Sequence, residues 1–307
     1  TADPVLFSDL LIEPSPRAAG MGRAFAGLAN DPYSGYFNPA GYALQQKRSV
    51  GVMHEPRGIG GGTEDMFLDY LAFAYPAGKI GSFGATVFYN DIGKTPITDE
   101  QGNVLGTMHS YHITPSVYYA YPLKDYLGVG AGFSYAYEHN TDQAGGTLSK
   151  PLFHAGVLYE TPIKTLRAGL AFNNIGTSDT FSRTVNGVET EFSAPPPRNV
   201  RLGLSFQPLA SDMNDIIVVV DGYKLLMNFD DSLSKELSSG VYAGGLEYVF
   251  AKMVAVRAGY YYDYTGPVTG LALGFGFAYK GISFDYARVP EGVAFKDRHR
   301  FGIGYTF

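Results

Sequence analysis

From about residue 47 to its last residue the chain repeats one local pattern: nine to twelve residues in which large apolar side chains alternate with small or polar ones, then a break. A period of two is the geometry of a β-strand, whose successive side chains point to opposite faces. In the final segment Phe301, Ile303, Tyr305 and Phe307 occupy every second place, with Gly302, Gly304 and Thr306 between them. Another segment puts Leu271, Leu273, Phe275, Phe277 and Tyr279 on one face and Gly270, Ala272, Gly274, Gly276 and Ala278 on the other. A soluble sandwich turns its large residues inward and its charges outward. Here the second face is mostly Gly, Ala and Ser, so the large face is expected to meet lipid and the small face to leave room for a plug or a lumen.

Fourteen such segments are legible, at 47–55, 66–75, 81–91, 108–121, 126–138, 148–160, 165–175, 198–207, 214–224, 239–250, 253–263, 267–279, 281–289 and 298–307. The breaks alternate in length. Pro76 to Ile80, Pro122 to Asp125, Ala251 to Met253 and Lys280-Gly281 are short, whereas 92–107, 176–197 and 225–238 are long and polar. An even strand number with short turns at one end and long loops at the other is the signature of an outer-membrane barrel. The expected fold is therefore all-β: a transmembrane antiparallel β-barrel of about 14 strands, over 46–307. Face matching pairs Tyr279 with Ile282 across a type I′ turn, and Phe250 with Val254 across three residues. The second register sets Glu247 opposite Arg257, both inward, and predicts an ion pair in the lumen.

Composition supports this reading. Tyr (24), Phe (21) and Gly (39) are high while Trp is absent, so any interfacial belt must be built from tyrosine and phenylalanine. No stretch is long and apolar enough for a transmembrane helix. Absence of cysteine removes disulfides, thiolate metal sites and cysteine nucleophiles. A net charge of −6 argues against nucleic acid as a partner. No charged and apolar leader opens the chain, so Thr1 is expected to follow a removed signal peptide, in the outer membrane of a Gram-negative bacterium.

Neither catalytic nor metal residues are expected, and no cofactor. The six histidines (His54, His109, His112, His139, His154, His299) are scattered, with His154 a candidate for the lumen. Asp212/Asp215 and Asp230-Asp231 fall near connections, and Gly60-Gly61-Gly62 lacks the lysine and hydroxyl of a phosphate loop. There is no Gly-x-Ser-x-Gly, and no Ser–His combination that alternation would clearly unite. An enzyme is not expected. Pro115, inside Ile113 to Tyr119, lacks a ladder donor and implies a bulge, a kink or a break in pairing, either at a strand start near the external rim or beside a lateral opening.

Residues 1–45 do not alternate. They hold Pro16, an Ala/Gly/Met-rich stretch from Ala18 to Ala29 that could form a short helix, and Asn38-Pro39-Ala40-Gly41. Gly20, Gly22 and Gly27 weaken such a helix by roughly 1 kcal/mol each, so the segment calls for an enclosing surface. The run from Ser15 to Gly41, with its Gly-Met-Gly, acidic residue and Asn-Pro-Ala, resembles the opening of the PorV/PorQ family and of the related FadL-type fatty-acid channels. That resemblance implies that 1–45 folds into the lumen as a hatch, with Gly20, Gly22, Arg23, Asn38, Pro39 and Ala40 matching the hatch pattern. Their simplest role is structural, close backbone approach and a turn, and direct ligand contact is the other. The terminal Phe301, Tyr305 and Phe307 look like the signal read by the barrel-assembly machinery, and equally suit a lipid-facing strand.

The resemblance implies a component of type IX secretion or surface attachment, with secretion-system or secreted proteins as partners beside outer-membrane lipid and lipopolysaccharide. Two alternatives stand: a FadL-like transporter of hydrophobic small molecules, and a structural barrel forming membrane arrays through faces such as Tyr260 and Tyr262.

Overall fold

Each alternating segment folds as an antiparallel strand. The computed structural model describes residues 5–58, 65–99, 101–139, 146–163, 165–185, 188–226, 240–263, 269–290 and 297–307, with the side chains of 183–185, 188–190 and 192 left aside. Gly60-Gly61-Gly62 and Asp230-Asp231 lie outside the described residues. In chain order the strands are β1 (Ser49–Pro56), β2 (Phe67–Pro76), β3 (Ser82–Thr98), β4 (Val104–Lys124), β5 (Leu127–His139), β6 (Thr147–Glu160), β7 (Leu166–Ile175) and β8 (Asp179–Val185). They continue as β9 (Val188–Ala194), β10 (Asn199–Ala210), β11 (Asn214–Leu225), β12 (Val241–Phe250), β13 (Val254–Asp263), β14 (Gly270–Tyr279), β15 (Ile282–Val289) and β16 (Arg298–Thr306).

Fourteen of these close into one barrel. Closure runs from Ser49 opposite Thr306 to His54 opposite Phe301, joining β1 to β16. β7 pairs directly with β10, so β8 and β9 form a separate hairpin outside the ring.

The long breaks differ from expectation. Much of 92–107 is strand, since β3 and β4 pair out to Thr98 and Val104, and 176–197 contains the β8–β9 hairpin. Beyond the membrane both faces of a ribbon meet water, so the apolar alternation that marks a strand disappears although the backbone ladder continues.

At the short-turn end Tyr279 pairs with Ile282, and Lys280 (φ 49°) and Gly281 (φ 85°) take the two left-handed positions of a type I′ turn. Phe250 pairs with Val254 across Ala251 to Met253. Short turns face the periplasm in such barrels.

The two faces separate as the alternation requires. On β14, Leu271, Leu273, Phe275, Phe277 and Tyr279 are exposed on the outer surface while Ala272 is buried. Val52, Leu71, Phe133, Phe153, Leu204, Val256, Tyr260, Tyr262 and Ile303 extend the same exposed apolar coat around the ring. A soluble monomer rarely exposes so continuous a coat, whereas lipid requires it.

Pro115 sits well inside β4 rather than at a strand start. It keeps register with Val87 on β3, but the β5 ladder jumps from Ile113–Tyr137 to Ser116–Ser134 with no shift. The missing N–H leaves a local gap, not a bulge. True register shifts occur elsewhere, at Asp91/Gly93, Pro122/Lys124, Phe153/Ala155 and Phe206/Leu209.

Candidate functional site: the N-terminal segment inside the barrel

The described part of the N-terminal segment runs through the lumen in short pieces: a 3-10 turn (Ser8–Leu11), α1 (Pro16–Gly20), α2 (Ser34–Phe37) and a second 3-10 turn (Pro39–Leu44). Helix α1 starts where Ser15 Oγ accepts the Ala18 N–H at 3.2 Å and Pro16 occupies the first turn. It does not extend to Ala29. Gly22 (φ 68°) and Arg23 (φ 74°) both adopt left-handed backbone, which ends a helix.

Small residues on the wall let this backbone touch the barrel directly. A Cβ added to Gly259 would lie 2.1 Å from Gly22 N, and one on Gly203 2.5 Å from Gly27 N. Gly20 packs against Gly274, and Pro39 and Ala40 against Gly130. Asn38 works as a bracket: its Nδ2 donates to the Ala26 and Val157 carbonyls at 3.1 and 3.0 Å, and its Oδ1 accepts the Ala40 N–H at 3.1 Å. Gly20, Gly22, Asn38, Pro39 and Ala40 thus touch the chain itself. Arg23 pairs with Glu13 at 3.0 Å and lies over the Tyr261 ring at 4.0 Å.

Charged groups on the wall complete the anchoring. Glu247 and Arg257 come together, Nε to Oε2 at 2.6 Å, and Glu247 also receives Arg17 at 2.7 and 2.9 Å. Arg257 reaches on to Asp285 at 2.6 Å, and Arg17 approaches Asp31 at 3.8 Å. Burial pushes the Asp31 carboxyl up to about 6, against the opposing pull of Arg17 and the Tyr33 N–H. On the other side Arg300 binds both Glu13 and Glu55 in full burial. His112, inward on β4, lies 2.7 Å from Asp9, and the Asp221 carboxylate accepts the Phe25 and Ala26 N–H groups, each at 2.7 Å.

Two cavities border the segment. One of about 240 Å³ at the short-turn end is lined by Arg17, Asp31, Tyr33, Glu247, Arg257 and Asp285 among others. One of about 30 Å³ inside the barrel is lined by Leu10, Tyr36, Tyr118, His154, Asn199 and Arg201 among others.

The second holds a Ser–His contact that alternation alone did not make evident: Ser134 Oγ lies 2.8 Å from His154 Nε2. Ser134 on β5 and His154 on β6 are diagonal neighbours on the inward face, and the β-bulge at Asn173 and Asn174 on β7 brings both asparagines beside the ring. His154 Nδ1 has both the Asn174 N–H and Asn173 Oδ1 at 3.4 Å, and the Ser134 hydroxyl also meets Ser116 Oγ at 2.6 Å.

Phe301, Tyr305 and Phe307 are all on the outer surface, with Tyr305 and Phe307 stacked at 5.5 Å.

Residues 2–148, which span the segment, β1 to β5 and the start of β6, match the family model of the type IX secretion system protein PorV. Over those residues, just under half of the chain, the sequence is similar to PorV. No curated protein sequence matches the chain. The PorV-like barrel shares its fold with the Ralstonia pickettii toluene transporter TbuX, at 15% identity and TM-score 0.60 over 95% of this chain and 97% of the other. The CymD monoaromatic hydrocarbon channel aligns at 16% identity and TM-score 0.62, covering 96% and 97%. A Pseudomonas aeruginosa FadL homologue aligns at 13% identity and TM-score 0.53, covering 94% and 97%. At these identities the likeness is one of fold. The family match and the shared fold indicate a barrel of the Gram-negative outer membrane with a FadL-like fold.

Proposed function

We propose that this barrel is a protein-binding component of type IX secretion or surface attachment, with residues 1–45 acting as a hatch. The observation that carries the reading is the match of residues 2–148 to PorV, because it includes the lumen segment as well as the first strands. The lumen geometry supports it. The segment packs backbone to backbone against the wall, and the cavities beside it are bordered by arginine, carboxylate, asparagine and histidine side chains. Such a lumen suits a barrel that works through its rims and loops with proteins.

The second reading, passage of hydrophobic molecules, draws on the shared fold with a toluene transporter and a monoaromatic hydrocarbon channel. A transporter of that kind needs an apolar pocket large enough to bury its ligand. Gentle detergent extraction followed by mass spectrometry for proteins and lipids separates the two. The expected result is secretion-system or secreted proteins in stoichiometric amounts. Fatty acids or other apolar molecules without protein partners would overturn it.

A further inference from the structure

Arg201, inward on β10, is 4% exposed, and its buried Nε has no hydrogen-bond partner among the described residues. The other deeply buried arginines of the strands behave differently. Arg257 holds Glu247 and Asp285, and Arg300 holds Glu13 and Glu55. Aromatic rings surround Arg201 instead: Tyr223 at 4.6 Å, Tyr36 at 5.2 Å and Phe37 at 5.6 Å from the guanidinium carbon. Ring faces stabilise a cation, but they supply no hydrogen-bond acceptor in the guanidinium plane. Asp221, on the neighbouring strand, commits Oδ2 to the Phe25 and Ala26 N–H groups; its charge acts on Arg201 through space, and its buried Oδ1 makes no hydrogen bond to the guanidinium. Removing an isolated ion from water costs several kcal/mol even after relaxation.

The same small cavity that Arg201 lines contains a second donor without a partner, the buried Tyr36 hydroxyl. Asn199 Oδ1 is an acceptor without one, while its Nδ2 donates to the Pro197 carbonyl at 3.0 Å. Two donors lining one cavity, one of them a full positive charge, suit a single negative charge, and the acceptor that also lines it suits a water that accompanies the ion. The volume of about 30 Å³ excludes anything larger than a few water-sized groups.

We propose that Arg201 and Tyr36 form a binding site for a small monovalent anion, of halide or formate size, between the N-terminal segment and β10. Tyr36 belongs to the segment and Arg201 to the wall, so an anion there joins the two. The site is independent of which partner the barrel serves.

The test is thermal unfolding of the full chain in detergent, with sodium bromide or sodium formate titrated against sodium gluconate at constant ionic strength. A bound anion raises the midpoint in a saturable way, since binding to the folded state alone stabilises it. Bromide and formate arms tell a halide from a carboxylate as the preferred occupant. Arg201→Met is expected to abolish the rise. Tyr36→Phe deletes only a hydroxyl and is expected to raise the half-saturating concentration by about ten- to a hundredfold, the loss of one hydrogen bond to a charged group. Should Arg201→Met not fold, Tyr36→Phe carries the test. Equal responses to bromide, formate and gluconate in the parent chain, or an unchanged bromide response in Tyr36→Phe, would overturn the proposal and leave a hydrated arginine held by aromatic rings alone.

Discussion

Gly259 and Gly22 meet where the wall and the segment share one thickness of backbone, and a side chain at either position has nowhere to go. Because the clash is with main-chain atoms of Met21 and Gly22 rather than with a flexible side chain, Gly259→Val must displace the segment. The expected cost is that of overpacking, about 1–3 kcal/mol, seen as a lowered unfolding midpoint in detergent; a midpoint equal to the parent's would contradict the packing.

Asp31 gives a pH signature at the same scale. Its carboxyl is raised from 3.8 to about 6 in the folded chain, so the folded state holds the proton more tightly than the unfolded one. The stabilisation this supplies is complete below about pH 4 and is lost as pH rises through about 6. Asp31→Asn therefore should leave stability unchanged near pH 4 and raise it at pH 7.5, by up to about 3 kcal/mol. Equal pH profiles for the two proteins would refute the argument. Residues such as Arg201, Glu13, Asp9 and Asp221 were not legible as a site, because a charge at an inward position reads alike whether it meets a carboxylate, a backbone amide or a cavity. Only Glu247 and Arg257 could be matched, because a three-residue turn fixes their register.

Strands were legible wherever lipid meets one face, since lipid enforces alternation residue by residue. Outside the membrane that constraint lapses, which is why the outer parts of β3 and β4 and the β8–β9 hairpin read as polar loops. Helix α1 was visible as Pro16 and a small-residue run, but its end was not, because the turn at Gly22 and Arg23 is set by the wall they lie against. Strand β16 carries the element-scale prediction. Tyr305 pairs with Ile282 beside the Lys280-Gly281 turn, so it lies near the membrane edge, where a lipid-facing charge costs only about 0–1 kcal/mol. If the terminal alternation is also read during assembly, replacing Tyr305 and Phe307 by aspartate should abolish heat-modifiable barrel altogether. Normal levels of folded barrel would restrict both residues to facing lipid.

At the scale of the molecule, the N-terminal segment and the wall are complementary in three ways: glycine against backbone, arginine against carboxylate, and carboxylate against amide. The glycine contacts are spread around the ring, from β5 and β6 at Pro39 and Asn38 to β13 and β14 at Gly22 and Gly20. A segment anchored at these positions fits the proposed hatch, whose expected effect is closure of the lumen.

Conductance of the purified full chain in a planar lipid bilayer measures that closure directly. The intact chain is expected to insert without a sustained open channel, and the chain lacking residues 1–45 to show a large steady conductance. A large steady conductance from the intact chain would contradict the hatch.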